Sequence, residues 1–260
     1  MTAAIEATNL RKTFGPVVAV DNVDITVASG QTVALLGGNG AGKTTTISML
    51  LGLLLPSAGR ITILGHDLAR TRYAVMARMN FSSPYVELPH RLTVAQNLRV
   101  YADLYGVADA AERVAELAER LDLTQFLDRP SGKLSAGQKT RLALAKSLIN
   151  RPEVLLLDEP TASLDPDTGD WVRGYLEQYR AETGASMLIA SHNMSEVERL
   201  CDHVLMMRAG RIVDQDAPAA LLARYGRQTL EDVFLDIARD RRSAAAPAGT
   251  PDSAGEQAAQ

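Results

Sequence analysis

The sequence predicts an α/β fold with a mixed sheet core, and three observations carry that prediction. Short, continuously apolar runs, Val33–Leu36, Val154–Leu157, Met187–Ala190 and Val204–Met207, read as strands covered on both faces. Helical patterns lie between them, giving an α/β alternation. A long helical block, Thr93–Ile149, interrupts that alternation.

Taken in order, Ile5–Leu10 and Val23–Val27 alternate apolar and polar residues and read as strands with one solvated face. Gln31–Gly37 is a strand running into a glycine-rich loop, followed by a helix over Thr44–Leu51 and a short strand at Ile61–Leu64. In the helical block, Thr93-Val94-Ala95-Gln96 fits a capping box. Val94, Leu98, Tyr101, Ala102 and Tyr105 then share one face. A second helix carries Val114, Leu117, Ala118 and Leu121, and a third starts at Ser135 and buries Leu142, Ala145, Leu148 and Ile149. Helices over Asp167–Thr183 and Met194–Cys201 complete the core. Ser243–Gln260 holds no bulky apolar residue and reads as a flexible tail. No internal repeat is present.

At about 150 residues per domain, 260 residues make between one and two domains. The hydrophobic fraction, 46%, and the charged fraction, 22%, are those of a globular chain and exclude general disorder, collagen-like sequence and a disulfide scaffold. Twenty-seven basic against 31 acidic residues leave a net charge of −4, without the basic excess usual in binding nucleic acid through its phosphates, which leaves open only a local basic patch. The single cysteine, Cys201, cannot form an internal disulfide and reads as a small buried residue. The longest apolar stretch, Met49–Leu55, is broken by Gly52 and stops at Pro56, far short of the roughly 18 residues of a membrane span. Met1–Phe14 has no signal-peptide core. The expectation is a cytoplasmic protein that reaches a membrane only by docking.

Two segments carry chemistry. Gly37-Gly38-Asn39-Gly40-Ala41-Gly42-Lys43-Thr44 fits G-x-x-x-x-G-K-[ST], placed between an apolar strand and a helix. Its glycines let backbone N–H groups turn toward phosphate oxygens, and the helix N-terminus adds positive dipole. Lys43 supplies charge for the β- and γ-phosphates of ATP, and the Thr44 hydroxyl can ligate Mg²⁺; Thr45 completes the candidate ATP-binding set. Val154–Leu157 ends in Asp158-Glu159, where Asp158 can hold Mg²⁺ and Glu159 is placed to be the general base on an attacking water.

Further segments resemble one family, the ATP-binding-cassette (ABC) ATPases. Leu134-Ser135-Ala136-Gly137-Gln138 is similar to the LSGGQ signature, with Ala136 at its third position, and Ser135 and Gln138 have capping-box spacing. Ser163-Leu164-Asp165 looks like the D-loop, and Ser191-His192 like the switch histidine. Phe14 falls where the family stacks an aromatic on adenine; a core aromatic is the competing reading. His66, His90 and His203 match no motif. The resemblance spans Ile5–Ile237 and implies a P-loop cassette over residues 1–240, with an antiparallel β subdomain, a helical subdomain inserted at about 85–150, and the tail at 241–260.

The resemblance implies a head-to-tail dimer in which Lys43, Thr44, Asp158, Glu159 and His192 act on one ATP and Ser135 and Gly137 on that of the facing copy. One departure stands out. The family's Q-loop glutamine is missing from Met79-Asn80-Phe81-Ser82-Ser83-Pro84-Tyr85, where Ser83 is the nearest equivalent by spacing. Glycine replaces the family's frequent proline at Gly38, which preserves the backbone path. Leu230–Leu235 resembles the tail of ABC-2-type exporter ATPases. The expected function is therefore an ATP-hydrolysing subunit, peripheral on the cytoplasmic face of the membrane, that powers a separately encoded polytopic permease of exporter type. The segment from Pro84 to Tyr105 lies where the family docks its permease. A soluble non-transport ABC ATPase and an ATP-binding regulator with weak turnover are the alternatives, and no nucleic-acid partner is expected.

Overall fold

Two sheets organise the chain, of which this computed structural model describes residues 2–83, 86–162 and 164–239. The segments in order are β1 (Ala3–Phe14), β2 (Val17–Ala28), β3 (Thr32–Gly37), α1 (Lys43–Leu50), β4 (Ala58–Ile63), β5 (His66–Asp67), α2 (Leu68–Thr71), α3 (Tyr73–Met76) and β6 (Met79–Ser82). The inserted block holds α4 (Val94–Leu104), α5 (Ala110–Arg120) and α6 (Ala136–Leu148). The chain returns through β7 (Val154–Asp158), α7 (Pro166–Thr183), β8 (Ser186–Ser191), α8 (Met194–Leu200), β9 (His203–Arg208), β10 (Arg211–Asp216), α9 (Pro218–Tyr225) and α10 (Leu230–Ala238).

The first sheet has the order β2-β1-β4-β5, with antiparallel pairs throughout. Its strands alternate as the sequence predicts: Ile5, Ala7, Val23, Ile25 and Val27 are buried, while Glu6, Thr8, Asp24 and Thr26 face solvent. The second sheet has the order β10-β9-β3-β8-β7-β6 and is parallel except for β10 on β9. Here β3, β7 and β8 are buried along their whole length. The reason is that each face of this sheet has its own cover. Val33, Leu35, Leu156 and Leu188 pack toward α1 and the antiparallel sheet, whereas Ala34, Leu36, Leu157 and Ile189 pack toward the helices on the other side. The mixed α/β architecture is thus present.

The helical block joins that second core. Thr93 and Gln96 form both bonds of the capping box that starts α4, whose buried face is Val94, Leu98 and Ala102. Val114, Leu117 and Ala118 of α5 meet Leu142, Ala145 and Leu148 of α6 in the same cluster. Six elements were not expected from the sequence, β5, β6, β10, α2, α3 and α9; β5, α2 and α3 are four residues or fewer, and β6 and β10 are edge strands with polar positions. The expected tail, 241–260, lies outside the described residues.

This topology fixes where chemistry can occur. Leu36 is in register with Ser191, and Asp158 with Ala190. The segments that follow β3, β7 and β8 therefore leave the sheet side by side, at the carboxyl edge where open α/β sheets bind ligands.

Candidate functional site

The loop after β3 is pressed into the sheet edge by its glycines. A Cβ on Gly37 would lie 2.5 Å from the Met207 carbonyl oxygen, and one on Gly42 would lie 2.6 Å from that of Ala19. Gly42, at φ 107°, is the N-cap of α1 and supplies no side-chain cap, so the first N–H groups of the helix stay available to an anion. Gly38, Asn39 and Gly40 are exposed, Thr44 is exposed and Thr45 half-buried. Lys43 is buried and folded back over the loop, where its Nζ donates to the Gly37 carbonyl at 2.6 Å and to that of Gly38 at 3.3 Å.

Opposite the loop stand two carboxyl groups. The Thr44 hydroxyl donates to Asp158 Oδ2 at 3.5 Å. Burial, reinforced by the neighbouring Glu159 charge, pushes the Asp158 pKa up, against the pull of Lys43 and Thr44. Glu159 adopts a left-handed backbone, φ 52°, and its N–H donates to the Ala190 carbonyl at 2.8 Å. A non-glycine residue in that region is strained and is held there by its surroundings. The Glu159 side chain is 11% exposed and joins three groups. Oε1 lies 4.0 Å from Lys43 Nζ, while Oε2 lies 2.7 Å from His192 Nδ1 and accepts the His192 N–H at 3.4 Å. His192 itself is 64% exposed, so this ring faces solvent at the mouth of the site.

The remaining sequence candidates fall into two places. Ser135 and Gln138 make both capping-box bonds at the start of α6, with Leu134 buried behind them. Gly137 lies against Thr168, and Asp165 caps α7 by accepting the N–H and hydroxyl of that same Thr168. Leu164 packs on the core, and Ser163 lies outside the described residues. Ser83 and Ala136 line one 250 Å³ cleft with Ala162 and Leu164; Pro84 and Tyr85 lie outside the described residues. Phe14, by contrast, is 49% exposed beside Lys12, so the core-aromatic reading is excluded. Leu230–Leu235 forms most of α10, and Phe234 and Ile237 flank a 350 Å³ pocket beside Gly38–Ala41.

Sequence reasoning missed several buried ionisable groups, Lys146 and Glu196 among them. Lys146 lies between the Phe81 and Tyr101 rings. Glu196 lies behind Ser191. Glu196 shares an i, i+4 face with Leu200, which is the signal that could have marked it as buried. Among the described residues no cluster of His, Cys, Asp and Glu has the form of a metal centre. The Cys201 thiol is buried and its pKa pushed up, which leaves it unreactive.

The sequence profile described as ABC transporter matches residues 20–162, from β2 through the segment after Glu159. The chain belongs to the ABC transporter family. As an ATP-binding cassette of that family it is an ATPase. It is similar to the Nod factor export ATP-binding protein I of Cupriavidus metallidurans, with 38% identity over 224 residues covering 85% of this chain and 74% of that one. It is also similar to a probable multidrug ABC transporter ATP-binding protein, YbhF of Escherichia coli, with 34% identity covering 91% of this cassette and 42% of that protein. Among solved structures, an ATP-binding subunit of an ABC transporter superposes with a TM-score of 0.83 at 26% identity, covering 91% of this cassette and all of that chain. Among the described residues no helix of the cassette is long and apolar enough to cross a membrane.

Proposed function

We propose that this cassette hydrolyses ATP as a head-to-tail pair of copies and so drives a separately encoded polytopic permease of ABC-2 exporter type. The observation that carries the chemistry is the convergence of Lys43, Glu159 and His192 beside the glycine loop. The N–H groups of Gly40–Thr45 receive the phosphates. Lys43, bound to two loop carbonyls, exchanges those partners for phosphate oxygens. Glu159 accepts the proton of the attacking water, whose oxygen bonds to the γ-phosphorus as the β–γ bridging bond breaks, giving ADP and phosphate. His192, fixed by Glu159, contacts the γ-phosphate, and Phe14 supplies an exposed face for adenine.

Thr44 and Asp158 fit a divalent cation, because a hydroxyl and a carboxylate oxygen, both hard donors, lie 3.5 Å apart beside the glycine loop. Mg²⁺ bound there would neutralise phosphate charge, with Ser83 as a further contact to its water shell.

The dimer reading is supported by structural neighbours that are themselves described as dimeric ATP-binding cassettes. Gly137 lies against Thr168 at the start of α7, and the resemblance to the family's head-to-tail pairs assigns Ser135 and Gly137 to the nucleotide of the other copy. The names of the two relatives and the match of Leu230–Leu235 to exporter tails support the export direction. A cassette that has no membrane-crossing helix among its described residues and works by docking would sit on the cytoplasmic face. Purification from native membranes tests this. Co-isolation with a polytopic protein is expected. Quantitative recovery free of membrane protein would favour a non-transport ATPase and overturn the exporter reading.

A further inference from the structure

His192 leaves the sheet between two residues that are tied to one buried carboxyl. Ser191, the last residue of β8, is fully buried and donates its hydroxyl to Glu196 Oε2 at 2.6 Å. The Asn193 N–H donates to the same serine oxygen at 3.0 Å, and Asn193 Oδ1 accepts the Glu196 N–H at 3.3 Å. These bonds close around the His192 backbone. One side chain thus holds the segment that carries His192.

We propose that Glu196 is a positioning residue for ATP hydrolysis, its buried carboxyl holding residues 191–193 so that the His192 imidazole meets the Glu159 carboxylate beside the phosphate loop. The proposal rests on the reading that Glu159 and His192 act on the nucleotide.

Stability alone does not require a carboxyl here. Glu196 is fully excluded from solvent, its Oε1 is buried without a hydrogen-bond partner, and Val197 and Leu200 beside it are buried apolar residues. Burial pushes its pKa up, and the Ser191 and Thr161 hydroxyls only partly oppose this. A half-satisfied buried carboxyl is a poorer packing element than an apolar side chain of similar volume. What it supplies is direction: one oxygen fixes the Ser191 hydroxyl and, through it, the register of residues 191–193. A displacement of roughly 1 Å at a reacting group costs about a hundredfold in rate, so such a brace has a large lever.

The test compares Glu196→Met, Glu196→Gln, Ser191→Ala and Glu159→Gln in the full chain, reading kcat and KM for ATP together with thermal melting. Glu196→Met is expected to melt at or above the parent temperature while kcat falls about tenfold or more and KM stays within about threefold. Glu196→Gln keeps an acceptor oxygen for Ser191 and is expected within about threefold of the parent kcat. Parent-like turnover of Glu196→Met, or equal slowing of the Met and Gln variants, overturns the proposal. Should Glu196→Met fail to fold, Ser191→Ala decides: a slowed kcat supports the brace and an unchanged one overturns it. Glu159→Gln separates the two readings. Unchanged turnover there overturns the role of Glu159, whereas a slow Glu159→Gln beside a parent-like Glu196→Met overturns only the brace.

Discussion

Replacing Lys146 by methionine should change how the stability of the cassette responds to pH. Lys146 is 7% exposed, and its ammonium lies 4.6 Å from the Phe81 ring centre and 5.3 Å from that of Tyr101. It donates to the Phe81 carbonyl at 3.0 Å and to Asn80 Oδ1 at 3.4 Å. It therefore pins α6 and α4 of the helical block to β6 of the core. Burial lowers its pKa from 10.5 to about 8. A lysine depressed in this way is charged in the unfolded chain and neutral in the folded one between those two values. The unfolded state binds more protons there, so stability rises with pH. From about pH 7.5 to about pH 9.5 the gain is about 2 kcal/mol, of which the two ring contacts with the charged form take back up to about 1 kcal/mol. Methionine keeps the stem between the rings and cannot titrate. Urea unfolding of both proteins at the two pH values should show the parent gaining about 1–2 kcal/mol relative to Lys146→Met. Parallel pH dependence of the two proteins would refute the assignment of a buried, charge-costly lysine to this junction.

Three other outcomes follow from the site. Lys43→Ala should lose ATP affinity at least tenfold by equilibrium titration, since the residue that charges the phosphate loop is gone. Gly42→Ala forces a Cβ to within 2.6 Å of the Ala19 carbonyl oxygen at φ 107° and should cost about 1–3 kcal/mol in urea unfolding. Ser135→Ala removes one bond of the capping box, which should cost about 1 kcal/mol in stability and weaken ATP-dependent dimerisation in sedimentation while leaving ATP binding by a single copy unchanged.

The glycine loop and the capping boxes were legible in the sequence because they are local: the spacing of Gly37–Thr44, Thr93–Gln96 and Ser135–Gln138 is itself the geometry. The fully apolar runs at β3, β7 and β8 were legible for the opposite reason, that both faces of a central strand need cover, and the two cores supply it. Met79–Ser82 escaped because an edge strand of four residues, with Asn80 bonded to Asn150 rather than exposed, carries no alternation to read. Lys146 and Glu196 escaped because a charge on a helix reads as solvated until the strand that covers it is placed. Phe14 could not be assigned between core and ligand, since β1 ends there and only the fold shows the ring exposed.

The central claim is that Glu159, fixed 2.7 Å from His192 and 4.0 Å from Lys43, is the base that activates water on ATP. Steady-state phosphate release by Glu159→Gln measures it most directly, with ATP affinity determined on the same sample. The account predicts ATP binding within about threefold of the parent and turnover slowed about 10²- to 10⁴-fold, the size of a lost general base. Turnover at the parent rate with ATP still bound would contradict it.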